Sequence, residues 1–277
     1  MKWTTRVSIV AATLAALAQP AQAVPVSLEL YLAADVSTSI DASDFALHRQ
    51  GLAAAFRSSA VIDAIQKTGT GIAVKLVDFA SDLATAVDWT LVTNAAQSNA
   101  LADAILAAPR PPSSLVGIHD HQSRMIDAAL ADMNGNGFEG LRRVLDIASE
   151  GAQDIDGCFY TSVNCPTVQA ARDRFLLNGG TTINAIWLPD PFYFGMTTGE
   201  DAELINAFQY GSLNVIGGPG NFQLFAEDYL AFQSRMPEKI LREVQREAGQ
   251  AVPVPGVLAL LGAGLIGFGA ARARRDD

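Results

Sequence analysis

The chain has 277 residues, 49% of them apolar, with 19 basic and 29 acidic side chains and a formal net charge of −10. Leaving out the charged residues of its two specialised ends (Lys2, Arg6, Arg272, Arg274, Arg275, Asp276 and Asp277), 14 basic and 27 acidic groups remain, a net charge near −13. So acidic a surface excludes nucleic acid and anionic lipid as partners, because neither is held without a basic patch. It is compatible with cations.

In chain order, Lys2 and Arg6 precede the apolar run "VSIVAATLAALA", and "AQA" closes it at residues 21–23. That arrangement predicts a secretory signal peptide over residues 1–23. Residues 24–250 are enough for one sizeable domain. Within them, apolar runs of strand length alternate with segments of helical period, the pattern of an α/β fold with a mainly parallel sheet. "LELYLAA" reads as the first strand. "SDFALHRQGLAAAFRSS" reads as a helix, with Phe45, Leu52 and Phe56 on one face and Ser43 at its N-cap. "GIAVKLVDFA" is a strand and "AVDWTLV" a shorter, antiparallel partner. A helix over "AAQSNALADAILAA" stops at Pro109, and "PRPPSS" leads into a helix predicted from Gly117 to Met133. "LRRVLDIA" is a strand, "PTVQAARDRFLLNGG" a helix with a glycine C-cap, and "TTINAIWLP" a strand. An aromatic loop and a short helix then lead to "NVIGGPGNFQLF" and a final helix, "EDYLAFQSRMPEKILREVQREA".

Ligands of open α/β sheets bind where loops leave the carboxyl ends of parallel strands. Three such places carry oxygen donors: Asp35, Ser37 and Ser39 in "DVSTS", Ser113 and Ser114 before a helix, and Ser149 and Glu150 in "SEG". Carboxylates and hydroxyls in this mixture suit a hard divalent cation, Mg²⁺ or Ca²⁺. Other groups are weaker candidates. "DMNGNG" begins like a calcium loop, but its twelfth position is Arg143, so it reads as a turn. His119 and His121 are two apart and read as a solvated helix start rather than a zinc pair. No G-x-S-x-G elbow is present, and "GGPG" lacks the Lys-Ser/Thr of a phosphate loop, so it too reads as a turn. Cys158 and Cys165 are the only cysteines and, in an exported chain, predict a short-loop disulfide.

After Pro253 and Pro255 the chain ends with 16 uncharged residues, Gly256 to Ala271, and then Arg272, Arg274 and Arg275. As a helix this segment would be roughly 24 Å long, short for a bilayer core of ~30 Å. Residues 251–277 resemble a PEP-CTERM-type sorting tail in a Val-Pro-Val-Pro variant. The resemblance implies transient membrane anchoring and cleavage by an exosortase-type transpeptidase.

The ordered set "DVSTSIDASDFALHRQGLAAAFR", "FEGLRRVLDIASEG", "AARDRFLLNGGTTINAI" and "VIGGPGNF" resembles a bacterial family of exported domains of unknown function. These are similar to the von Willebrand factor type A (VWA) fold. The resemblance implies a three-layer, Rossmann-like VWA fold with a mainly parallel central sheet and helices on both faces. It also implies a metal-ion-dependent adhesion site (MIDAS), whose donors would here be Asp35, Ser37, Ser39, Ser114 and Glu150. Glu150 stands where the family has aspartate, and Ser114 is assigned to the place of an absent threonine. The function implied is a secreted or surface-associated binding module in an extracellular matrix, with a protein or polysaccharide ligand and no enzymatic activity. The rival readings are a metal-assisted polysaccharide hydrolase and a matrix protein with a degenerate metal site.

Overall fold

The computed structural model describes residues 23–159, 162–190, 194–195 and 205–245. The expected signal peptide, short of its last residue, and the expected sorting tail lie outside the described residues. The first strand, β1 (Val24–Asp35), alternates its side chains between two faces. Leu28, Leu30, Leu32 and Ala34 enter one apolar core, Tyr31 and Ala33 the other. Burial on both sides is why it reads as one apolar run rather than as alternating apolar and polar residues.

Helices α1 (Ala42–Arg57) and α2 (Ser59–Lys67) lead to β2 (Ile72–Phe79) and its antiparallel neighbour β3 (Leu83–Val92). The N-cap of α1 is Asp41 rather than Ser43. Its Oδ1 accepts from the backbone N–H groups of Ser43 at 2.7 Å and Asp44 at 2.9 Å. Next come α3 (Ala95–Ala107), the single turn α4 (Ser113–Val116), α5 (Gln122–Met133) and β4 (Phe138–Ser149). The helix expected from Gly117 begins only at Gln122, because Gly117 ends α4 at φ 82°. The N–H groups of Ile118 and His119 then turn to Ser81 Oγ instead of continuing a helix.

The remaining elements are α6 (Pro166–Leu177), β5 (Thr182–Trp187), the two-residue pair β6 (Phe194–Gly195) and β7 (Ile205–Asn206), and α7 (Ala207–Tyr210). A short π-helix (Gly211–Val215), β8 (Gln223–Phe225) and α8 (Tyr229–Gln245) complete the series.

The six-stranded sheet runs β3-β2-β1-β4-β5-β8, parallel except for β3. Residues of α1, α2, α3 and α8 fill the core on one face, those of α5, α6 and α7 the core on the other. Fully burying each Leu, Ile or Phe contributes about 1.5–3 kcal/mol. Under α8 the packing is also ionic. Lys239 pairs with Asp146 of β4, and Glu243 accepts from Asn184 Nδ2 of β5 at 2.8 and 2.9 Å. These groups are buried, so α8 is held to one register on the sheet.

The chain lays β2 and β3 on one side of β1 and β4, β5 and β8 on the other. The order therefore reverses between β1 and β4, and the two loops diverging there leave a crevice at their carboxyl ends.

Several local expectations can be placed directly. "DMNGNG" is a turn: Gly137 takes φ 78°, Asn136 Nδ2 donates to the buried Glu29 at 2.6 Å, and Arg143 Nη1 donates to Asn134 Oδ1. "GGPG" is a turn as well, with Gly218 at φ 84° against the Thr181 carbonyl. His119 and His121 diverge, pairing with Asp154 and Asp156 respectively. Cys158 and Cys165 form a disulfide.

Candidate metal centre

Asp35 is the last residue of β1 and is 4% exposed. Its Oδ1 accepts from Ser37 N at 2.8 Å, which folds "DVSTS" back over the strand end. Its Oδ2 accepts from Ser149 Oγ at 2.9 Å and Glu150 N at 3.4 Å, so one carboxylate joins the ends of β1 and β4. Ser37 Oγ lies 3.3 Å from Ser39 Oγ, and the Ser39 side chain lies close to Glu150. Arg110 braces the loop from behind, donating to the carbonyls of Val36 and Ser37. Tyr229, at the start of α8, donates from its hydroxyl to Glu150 Oε2 at 3.1 Å.

The structure thus brings Asp35, Ser37, Ser39 and Glu150 into one network. Ser114 stands apart, exposed on α4 and not among the residues lining the cleft. A residue that the sequence reading missed lies beside them instead. Asp120, in the turn before α5, is 9% exposed, and its carboxyl is within hydrogen-bonding reach of Asp35. Its backbone is pinned, with Asp154 Oδ1 accepting from Asp120 N at 2.8 Å. A signal was available, since Asp120 is the one acidic residue between Asp103 and Asp127. Its two flanking histidines made it look like a solvated helix start.

Three carboxyl groups therefore converge in a buried place. Burial, and then the charge of Asp35, hold the Asp120 carboxyl well above the usual carboxylate range. The same two causes push Glu150 up to about 7. None of the three forms an ion pair with Arg, Lys or His among the described residues. Asp120 Oδ1 and Glu150 Oε1 are buried without a hydrogen-bond partner. Buried acceptors left open in this way cost free energy unless something positive fills the gap between them. Among the described residues no group of three or more His, Cys, Asp or Glu side chains is placed to hold a metal ion. The donor set here depends on hydroxyls as well, which suits a hard cation that also keeps water. Around it lies a cleft of about 290 Å³ lined by Ser37, Ser39, Asp120, Gly151, Asp154 and Asp190 among others.

A doubly wound, mainly parallel sheet with oxygen donors at its switch point is the VWA-type architecture, and solved structures agree with it. A proximal thread matrix protein of the mussel byssus, solved with a zinc-occupied MIDAS motif, is similar at TM-score 0.51 and 12% identity. That match covers 82% of this chain and 49% of the byssus protein. The pilus adhesin SpaC of Lactobacillus rhamnosus GG is similar at 0.52 and 13%, covering 79% and 31% of the two chains. The minor pilin PilB of Streptococcus sanguinis is similar at 0.53 and 10%, covering 81% and 62%. The chain thus spans 31% to 62% of the length of these proteins, and at such identities the likeness is one of fold. No curated protein matches the sequence. Residues 25–248 match the family described as protein of unknown function DUF1194, and the chain belongs to that family.

Proposed function

We propose that this chain is an exported binding module that captures its partner through a divalent cation held by Asp35, Ser37, Ser39, Asp120 and Glu150. The observation that carries the reading is the convergence of three buried carboxyl groups, two with an unpartnered oxygen, at the switch point of the sheet. When bound, the cation supplies a positive centre to which an oxygen of the partner can be drawn. The chain's own residues hold it: Asp35 ties the two strand ends, Ser37 and Ser39 offer hydroxyls, and Tyr229 orients Glu150. The zinc-occupied motif of the byssus protein and the adhesin role of SpaC support adhesion as the use of such a site.

Binding is favoured over hydrolysis because the buried carboxylates already belong to the donor set. Asp154, which also lines the cleft, is engaged by Asp120 N and His119. On this reading the module reaches the cell surface or extracellular matrix, with the expected signal peptide and PEP-CTERM-type tail, cleaved by an exosortase-type transpeptidase, as its proposed route. Among the described residues no helix is long and apolar enough to cross a membrane. Titrating the purified chain with CaCl₂ and MgCl₂ by calorimetry tests the proposal. Saturable binding that chelator reverses supports it, and absence of heat together with an unchanged melting temperature sinks it.

A further inference from the structure

We propose a second binding site, between the first turns of α5 and α6, that takes a single oxyanion group (sulfate, phosphate or carboxylate). The two helices pack side by side over one face of the sheet. Ser123 and Thr167, each the second residue of its helix, line the same cleft, so both N-termini open on one place. The cleft has a volume of about 420 Å³ and shares no lining residue with the candidate metal centre. The leading N–H groups and the dipole of a helix favour negative charge at its N-terminus. Neither α5 nor α6 has its N-terminus capped by the side chain of its own N-cap residue.

The observation that points to a ligand is the Ser123 hydroxyl. Ser123 is only 7% exposed, and its N–H donates to Gln153 Oε1 at 2.7 Å. Its side chain lines the cleft, where Oγ makes no hydrogen bond among the described residues. A polar group so nearly buried is costly without a partner.

The spare hydrogen-bonding capacity around it is mostly that of donors. Arg174 grips Asp127 through Nε at 3.0 Å and Nη2 at 2.6 Å, which engages both carboxylate oxygens and leaves Nη1 unused. Arg124 donates to Asp82 through Nη2 alone, at 2.8 Å, and Asp82 is not part of the cleft lining. Asp156 faces His121, with Oδ2 2.8 Å from Nε2. Thr167 Oγ1 accepts from Gln153 Nε2 at 3.0 Å, and its own proton meets only the disulfide sulfurs, which are weak acceptors. Both acids that line the cleft are thus engaged by a basic side chain, and what remains is N–H and O–H. An acceptor-rich anion matches that set, and guanidinium donors make charge-assisted bonds to it. One oxyanion needs no extended basic patch, unlike a nucleic acid.

Calorimetric titration of the full chain with sodium sulfate, sodium phosphate and sodium acetate tests the site. Metal-free buffer keeps the result independent of cation binding. At least one of the three should bind saturably, with a Kd on the order of 1 mM or tighter, and the tightest identifies the oxyanion. Ser123→Ala, which removes only the unpaired hydroxyl, and Arg124→Gln should each weaken that binding by about tenfold. Arg57→Gln should leave it unchanged, because Arg57 ends α1 on the other face of the sheet and pairs with Asp103. The proposal is overturned by absence of saturable binding for all three salts, by an affinity unmoved in either Ser123→Ala or Arg124→Gln, or by an equal loss in Arg57→Gln.

Discussion

A Cβ on Gly151 would overlap Asp120 Oδ2, so the residue after Glu150 decides whether the carboxylate three residues beyond Gly117 can enter the cleft. The crowding lies between a backbone position of the β4 loop and a side chain from the turn before α5. Neither segment reveals it alone. Gly151→Ala should therefore displace Asp120 without disturbing the sheet. Ca²⁺ affinity should fall by about tenfold or more, equivalent to ~1.4 kcal/mol. The overpacking itself should cost about 1–3 kcal/mol of stability. Calorimetric titration beside a thermal melt separates the two effects, and an unchanged affinity would place Asp120 outside the donor set.

Asp35 holds three donors as well as its share of the proposed ion, so its variants should differ in kind. Asp35→Asn retains an acceptor for Ser37 N and should abolish measurable ion binding at little cost to the fold. Asp35→Ala should abolish binding too. It also strands the N–H groups of Ser37 and Glu150 and leaves the Ser149 hydroxyl only the Gly151 carbonyl at 3.2 Å, costing about 1–3 kcal/mol. Denaturant titration of both variants in chelator reads the difference. Equal stabilities would show that the hydrogen bonds of Asp35 contribute little.

His48 gives stability a pH dependence remote from the cleft. It is buried in α1 and stacked on Phe232 with ring centroids 4.7 Å apart. Burial, and then the neighbouring Arg49, lower its pKa to about 3. The unfolded chain takes up this proton near pH 6.5 and the folded chain only near 3. The stability contributed is therefore complete above about pH 6.5 and declines as pH falls towards 3, by up to ~1.4 kcal/mol per pH unit. His48→Phe should flatten that part of the profile, whatever it does to absolute stability. A slope between pH 4 and 6 that matches wild type would assign acid sensitivity to other groups.

The Cys158–Cys165 disulfide closes a short loop just before α6, next to the segment in which Gln153 Nε2 donates to Thr167 Oγ1. Restricting so short a loop in the unfolded chain is worth about 2–3 kcal/mol in the chain-entropy model. Reductant, or the double Ser variant, should lower the unfolding free energy by that order and leave the fold assembled. Native peptide mapping under non-reducing conditions is the direct check, and two free thiols in the exported protein would refute the bond.

For the tail, protein recovered from outside the cells should end near Val252–Gly256 if the PEP-CTERM-type segment is a sorting signal. Intact mass measurement decides the matter. A mature pool ending at Asp277 would indicate a retained anchor instead.

Much of the architecture was legible in the sequence because its signals are local. Apolar runs such as Leu28–Ala34 and Ile72–Phe79 can be buried on both sides only in a covered parallel sheet, and the glycines of "GGPG" announce a turn. Asp35 and Glu150 were visible because each directly follows or ends such a run. Other features depended on the third dimension. Sequence periodicity continued a helix through Gly117–His121, whereas in the fold Ser81 captures two of those N–H groups and Asp154 a third. That capture ends the helical reading, leaves Ser114 on an exposed turn and carries Asp120 inward to Asp35, 85 positions earlier in the chain. Strand and helix signals reflect what each residue prefers next to its neighbours. The donor set reflects which loops the sheet order brings together, and only packing the β1, β2 and β4 loop ends against one another decides it.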